Sequence, residues 1–286
     1  MNILVTGSNG QLGSEIRELS NNYSDYNFTF TDIEELDITN NKSLSTYISS
    51  NDFDIIINCA AYTNVDKCES DKIAAAKLNT KSAKLLAIEC TKNNIALIHI
   101  STDYVYGGKN NTPYKETDFT NPSSVYGKTK LDGEKMIEEF AQKALIIRTS
   151  WLYSSFGNNF IKTIMKYGKE RDELKVVFDQ IGTPTYARDL ADTILSGIEH
   201  IEFLSGVHVF QYSNEGVCSW YDFAKEIVEY KNIDCKIIPI ETKDYPLPAT
   251  RPSYSVMNKA KIKEELGIEI PHWKDSMKQC LDLIKE

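Results

Sequence analysis

Apolar and polar positions along this chain follow two rhythms that take turns. Asn2-Ile3-Leu4-Val5-Thr6 is a short aliphatic run closed by Gly7, and such a run predicts a strand. Leu12, Ile16 and Leu19 then recur at helical spacing, which predicts a helix with one apolar face. Further strands are predicted at residues 27–31 and 54–58. The second of these is apolar almost throughout, the pattern of a strand covered on both faces in a parallel sheet. A helical pattern over residues 71–92 carries Ala74, Leu78, Leu85, Leu86 and Ile88, and strands follow at 95–100 and 144–148. Two more strands, 174–178 and 207–210, bracket a helix at 187–199. Beyond about residue 212 the texture changes to a helix at 220–230, a strand at 236–240, a stretch holding Pro246, Pro248 and Pro252, and a terminal helical stretch.

Strands alternating with helices predict βαβ units joined by right-handed crossovers. The expected fold is α/β, a Rossmann-like doubly wound parallel sheet with a smaller C-terminal α/β substrate-binding region. Residues 1–150 and about 174–212 are expected to form the first part, and about 151–173 and 213–286 the second, packed over the open end of the sheet.

Composition narrows the partners. Of 286 residues, 41% are hydrophobic and 26% charged, which is globular rather than disordered. Lys plus Arg is 32 and Asp plus Glu is 41, giving 32 − 41 = −9. That balance argues against non-specific nucleic-acid binding, which needs cations to neutralise phosphates, and no polybasic cluster marks a membrane surface. No apolar run reaches the ~18 residues of a membrane span, and no signal peptide is read at the start, so a cytoplasmic protein is expected. Cys59, Cys68, Cys90, Cys218, Cys235 and Cys280 form no C-x-x-C pair, and are expected as free thiols in a reducing compartment. His99, His200, His208 and His272 show no metal-ligand spacing. His99 lies within a strand and is expected to be structural, as are Trp220 and Trp273.

The chemistry sits where strands end. Gly7-Ser8-Asn9-Gly10-Gln11-Leu12-Gly13 joins the first strand to the first helix. Glycines at that spacing allow a tight turn, a close backbone approach to a pyrophosphate and tight helix–strand packing, beside the positive end of a helix. The context points to a dinucleotide. Asp32 ends the second strand, 19 residues after Gly13. A carboxylate there accepts from ribose hydroxyls and repels a 2′-phosphate, so NADH is expected over NADPH. Farther on, Tyr126 and Lys130 stand four apart on a predicted helix that Asn121-Pro122 is expected to start. A lysine so placed is expected to lower the phenol's pKa. Thr102 in Ser101-Thr102-Asp103-Tyr104-Val105-Tyr106-Gly107 follows the fourth strand, where a hydroxyl can meet a substrate carbonyl.

The glycine loop, the S-T-D-Y-V-Y-G segment and Y-x-x-x-K together resemble the extended short-chain dehydrogenase/reductase superfamily. Within it, the run Asn58 to Glu69, Arg148-Thr149-Ser150-Trp151-Leu152-Tyr153, Asp179-Gln180-Ile181-Gly182-Thr183-Pro184-Thr185 and Arg251-Pro252-Ser253-Tyr254-Ser255 resemble the dTDP-4-dehydrorhamnose reductases. The resemblance covers nearly the whole chain. It implies reduction of the C4 ketone of dTDP-4-dehydro-β-L-rhamnose to dTDP-L-rhamnose by NADH or NADPH. By matching positions, Tyr126 would protonate the alkoxide, Lys130 would lower the Tyr126 pKa and hold the nicotinamide ribose, and Thr102 would orient the carbonyl. Cofactor contacts would come from Gly7, Asn9, Gly10, Gln11, Leu12, Gly13, Asp32, Asp37, Ile38, Ala60, Ala61, Tyr62 and Thr63, together with Tyr126 and Lys130. Asp103 and Trp151 would touch the sugar beside Thr102 and Tyr126, and Arg251 would clamp the diphosphate.

Some members of that family bridge two subunits with a divalent metal held by acidic residues. Glu15 matches one such position, but Arg188 stands where the other acid would be, with Asp189 next to it. A Mg²⁺-bridged dimer is therefore not expected, and monomer and homodimer both stay open. So do two other functions: an epimerase or dehydratase of the same superfamily, and a reductase-like regulatory subunit without turnover.

Overall fold

The structure is a computed structural model that describes residues 1–199 and 205–284; His200 lies outside them. Five strands, β1 (Asn2–Thr6), β2 (Asn27–Thr31), β3 (Ile55–Asn58), β4 (Ala96–Thr102) and β5 (Lys143–Thr149), join the strand Gly206–Tyr212 in one sheet. Every pairing is parallel, and the spatial order is 206–212, β5, β4, β3, β1, β2. Chain direction across the sheet reverses between β1 and β3. That is the switch point at which a crevice opens beyond the strand ends.

The pleat sends alternate side chains to opposite faces, and both faces are covered. Ile3, Val5, Ile55 and Ile57 pack with Ile16 and Leu19 of helix α1 (Gln11–Ser20) and with Leu190 and Ile194 of the helix Ala187–Ser196. Leu4, Ile56, Leu97 and Ile146 pack on the other side against Leu44 and Ile48 of α2 (Asn41–Ser49) and Leu86 further on. All four residues of β3 are buried, as its unbroken apolar run predicts.

A second apolar cluster holds the rest. The helices Phe160–Glu170, Trp220–Tyr230 and Trp273–Leu283 pack around Phe223, Ile227, Met277 and Leu281. The strand Glu173–Val177, expected in the first part of the chain, pairs in parallel with Lys236–Ile240 and packs in this second cluster. Its partner strand lies some sixty residues downstream, a pairing that no local pattern announces.

The helical stretch predicted over 71–92 is interrupted. A short helix, α3 (Val65–Ser70), precedes it, and α4 (Lys72–Ala76) runs through a π turn at Lys77–Lys81 into α5 (Ser82–Lys92). The helix carrying the Tyr–Lys pair, α6 (Val125–Phe140), starts later than Asn121-Pro122 predicts. Its cap is Ser124, whose hydroxyl accepts from the Gly127 N–H at 3.1 Å; Asn121 donates its own N–H to the Val105 carbonyl and belongs to the preceding loop.

Candidate active site

A cavity of about 1020 Å³ opens at the switch point. Its wall includes every residue expected to touch the cofactor, the three expected catalytic residues, and Asp103 and Trp151. Gly7 has φ +65°, and a Cβ there would lie 2.6 Å from the Ala60 backbone. At Gly13 a Cβ would stand 2.5 Å from Ser8 Cα, so a side chain at either position would push the loop off β3 or off α1. Gly10 caps α1 without any side-chain hydrogen bond to the helix start. The orphan N–H groups of the first turn thus face the cavity, an arrangement suited to a pyrophosphate.

Asp32 does more than border the cavity. One carboxylate oxygen accepts the Asn9 N–H at 3.0 Å and the other the Ile33 N–H at 2.8 Å, so it braces the glycine loop against the end of β2. The Asp37 carboxylate takes the Thr39 N–H and hydroxyl, and the hydroxyl bond is the chief reason its pKa falls below the ordinary range. Ile38 is buried beside it.

On the opposite wall, β4 and α6 bring Thr102, Tyr126 and Lys130 together. The Tyr126 phenol stands near the Thr102 hydroxyl, and its ring meets Tyr104 edge-on at 5.5 Å. The Thr102 hydroxyl donates to Asp103 Oδ1 at 3.0 Å and accepts the Tyr104 N–H at 3.2 Å. Burial pushes the Tyr126 phenol well above its ordinary pKa, and the nearby Thr102 hydroxyl only partly offsets this. The expected lowering by Lys130 is not met. Lys130 turns its amino group to the Ile100 carbonyl at 2.6 Å and to His99 Nε2 at 3.2 Å. Burial pulls that amine down to about 8, against the pull of Glu134 and Cys59. Asp103 is 2% exposed, and burial drives its carboxyl up to about 7 although Ser255 and Thr102 hydrogen bonds oppose it.

Trp151 and Arg251 frame the far end. Trp151 has φ +48°, a strained value for a bulky residue, and its ring stacks on Trp220 at 3.7 Å and 12°. Trp220 lines this cavity and a second one of about 880 Å³, so it is a wall residue and not packing alone. Trp273, 3% exposed, is core. Arg251 lines only the second cavity. Its guanidinium is held in a two-pronged pair by Asp66, at 3.0 and 2.6 Å, so any phosphate would share that fork with a carboxylate. The bond from Arg251 is the main cause that holds the Asp66 pKa below its usual range.

Of three polar residues behind the site, sequence reasoning passes over Asn79, quotes Asn58 only within a motif and takes His99 as structural. Asn79, 1% exposed and inside the π turn, accepts the Tyr62 N–H at 2.8 Å and donates to the Tyr62 carbonyl and to Thr129 of α6. It ties the loop after β3 to the catalytic helix. Asn58 and His99 sit behind Lys130 in apolar strands. An asparagine in a helix and a histidine in a strand carry no periodic signal, and only their interruption of apolar runs could have marked them.

Glu15 turns to residues of its own chain. It is fully buried, accepts from the Ser154 hydroxyl at 2.6 Å and faces the Arg188 guanidinium at 3.4 Å. Among the described residues no group of three His, Cys, Asp or Glu could hold a metal ion.

A family model described as RmlD substrate binding domain matches residues 1–286. The dTDP-4-dehydrorhamnose reductase of Aggregatibacter actinomycetemcomitans is 38% identical over 285 residues, covering 96% of this chain and 97% of that protein. A crystal structure of a dTDP-4-dehydrorhamnose reductase from Clostridium acetobutylicum superposes with a TM-score of 0.95 at 42% identity, covering 100% of both chains. The reductase of Bacillus anthracis, solved in complex with NADP, superposes at 0.93 with 36% identity over 98% of each chain. With its whole length matched, the chain belongs to the RmlD substrate binding domain family, that of the dTDP-4-dehydrorhamnose reductases.

Proposed function

We propose that this protein reduces the C4 ketone of dTDP-4-dehydro-β-L-rhamnose to give dTDP-L-rhamnose. The observation that carries the reading is the assembly of Thr102, Tyr126 and Lys130 on one wall of the cavity whose other wall is the glycine loop. The loop and the start of α1 would hold the cofactor pyrophosphate, Asp32 the adenosine ribose, Asp37 and Ile38 the adenine side, and Ala60 to Thr63 the approach to the nicotinamide. When bound, NAD(P)H supplies the hydride.

The chain's own residues handle the proton. Burial keeps the Tyr126 phenol protonated at neutral pH, which suits a group that must hold its proton until an alkoxide, a far stronger base, forms at C4. Giving up that proton leaves a phenolate beside the Thr102 hydroxyl, which can swing from Asp103 to donate to it. The sugar would lie against Trp151, and the nucleotide part would enter the second cavity past the Trp151–Trp220 stack toward Arg251. The Glu15–Arg188 pair supports a metal-independent enzyme. Among the described residues no helix is long and apolar enough to cross a membrane, and we place the enzyme in the cytoplasm, where nucleotide sugars are made.

The test is oxidation of NADH and of NADPH with enzymatically generated dTDP-4-dehydro-β-L-rhamnose, with the product's C4 configuration read by NMR. Formation of dTDP-L-rhamnose is the expected result. The C4 epimer would change the product and keep the mechanism. Binding of NADH without oxidation would favour the epimerase or regulatory reading.

Cofactor choice gives a further expectation. Asp32→Ala removes both the ribose acceptor and the brace on Asn9, so affinity for both cofactors falls. NADH should lose more than NADPH, because the change also removes repulsion toward a 2′-phosphate. An unchanged ratio of the two dissociation constants would refute this role for Asp32.

A further inference from the structure

Behind the Tyr–Lys pair runs a chain of polar contacts inside the sheet, from Thr6 through Asn58 and His99 to Lys130. Each member is buried, with exposures of 1% for Thr6, Asn58, His99 and Lys130 alike. The hydrogen bonds in this chain have directions, and those directions can be worked out from one end. Asn58 Oδ1 accepts the Ala60 backbone N–H at 3.2 Å and the Thr6 hydroxyl at 2.7 Å. A backbone N–H can only donate, so the amide oxygen of Asn58 is fixed on that side and its NH₂ faces His99. The NH₂ lies 2.9 Å from His99 Nδ1, which must therefore be the bare, accepting nitrogen. A neutral imidazole carries one proton, and here it is on Nε2. That N–H points at the Lys130 amine, 3.2 Å away.

An ammonium has three donors and no acceptor, whereas a neutral amine has a lone pair. The Nε2–H of His99 thus opposes Lys130 in its charged form and hydrogen-bonds it in its neutral form. We propose that His99 is a positioning residue that sets the protonation state of Lys130, with Asn58 holding the imidazole in the tautomer that favours the neutral amine. The lowering of the Lys130 amine to about 8, chiefly by burial, and of the His99 imidazole well below its ordinary value, run in the same direction. The other groups that act on Lys130 are Glu134, one turn along its own helix, the Cys59 thiol after β3 and the Ile100 carbonyl, which accepts from the amine at 2.6 Å; all three favour its charge. Lys130 is then poised between two states near physiological pH. Ribose hydroxyls arriving at the amine would offer new acceptors and draw a proton onto it.

This inference deepens the reductase reading in its consequence for turnover, but its test does not depend on that reading. Protein carrying ¹³Cε-lysine is titrated by NMR without cofactor, and the Lys130 resonance is assigned by its loss in Lys130→Arg. The expected wild-type midpoint is near 8. His99→Leu removes the opposing N–H and should raise the midpoint by about one pH unit. Asn58→Asp gives Nδ1 a carboxylate acceptor, moves the imidazole proton to Nδ1 and turns Nε2 into an acceptor, so it should raise the midpoint as well. This second variant serves if His99→Leu fails to fold. A midpoint that stays at its wild-type value in whichever variant folds would overturn the proposal, even if dTDP-sugar reduction is confirmed.

Discussion

Tyr126→Phe is expected to lower kcat by about 10²–10⁴-fold, the usual loss when a positioned proton donor is removed, while NADH affinity stays as it was. The substitution takes away one oxygen and leaves the ring, which keeps its edge-on contact with Tyr104. The glycine loop, Asp32 and Lys130 are untouched, so of the expected cofactor contacts only the Tyr126 hydroxyl is removed. What is lost is the phenol that stands near the Thr102 hydroxyl. Steady-state turnover with a dTDP-keto sugar, alongside a fluorescence titration with NADH, separates the two effects. Turnover near wild type would mean that another group gives the proton. Asp103, whose carboxyl is driven up to about 7 by burial, would be the group to examine next.

The second large effect falls on stability. Arg148→Met is expected to cost about 3–5 kcal/mol, because it strands a buried carboxylate. Arg148 and Glu134 are 4% and 1% exposed. The guanidinium holds both carboxylate oxygens, at 3.1 Å from Nε and 2.7 Å from NH2, and reaches Tyr106 Oη at 2.7 Å. Ser101 also donates to Glu134. These contacts pin α6 to β4 and β5, and two turns earlier on that helix stands Tyr126. Urea denaturation should show the loss directly. The double variant Arg148→Met/Glu134→Leu should recover most of it, since an apolar pair can replace a buried ion pair at little cost while half a pair cannot stand. Equal losses in the single and double variants would mean that the arginine acts by packing and not by charge.

What the sequence disclosed follows from how far each signal reaches. Residues 2–6, 27–31 and 220–230 bear out their elements to the residue, because the apolar run and its flanking breakers are local. The cavity wall was legible for a related reason: ligand residues of a parallel sheet sit just past strand ends, and strand ends can be found. Relations between distant segments were not legible. Pairing of Glu173–Val177 with Lys236–Ile240 requires knowing which helices lie between them. The Asp66 grip on Arg251 spans 185 residues, and so the guanidinium's partner was missed while its motif was seen. The direction of the Tyr126 pKa was misjudged because four-residue spacing says that two side chains share a face and says nothing of where the lysine's amine finds its acceptor. That acceptor is a carbonyl on β4.

The π turn at Lys77–Lys81 bears on how this protein can change its length. A π turn lodges one residue more than the regular spiral would, so α4 and α5 keep the relative orientation they would have if that residue were absent. Ala75 before the turn and Leu86 after it are both buried. Removing a single residue here would restore the regular spiral, leave α4 and α5 in place and displace Asn79 from Tyr62 and Thr129, which it now joins. The stretch can therefore give up one residue without moving the helices on either side, and what such a shortening would cost is the tie that Asn79 makes between the loop after β3 and α6.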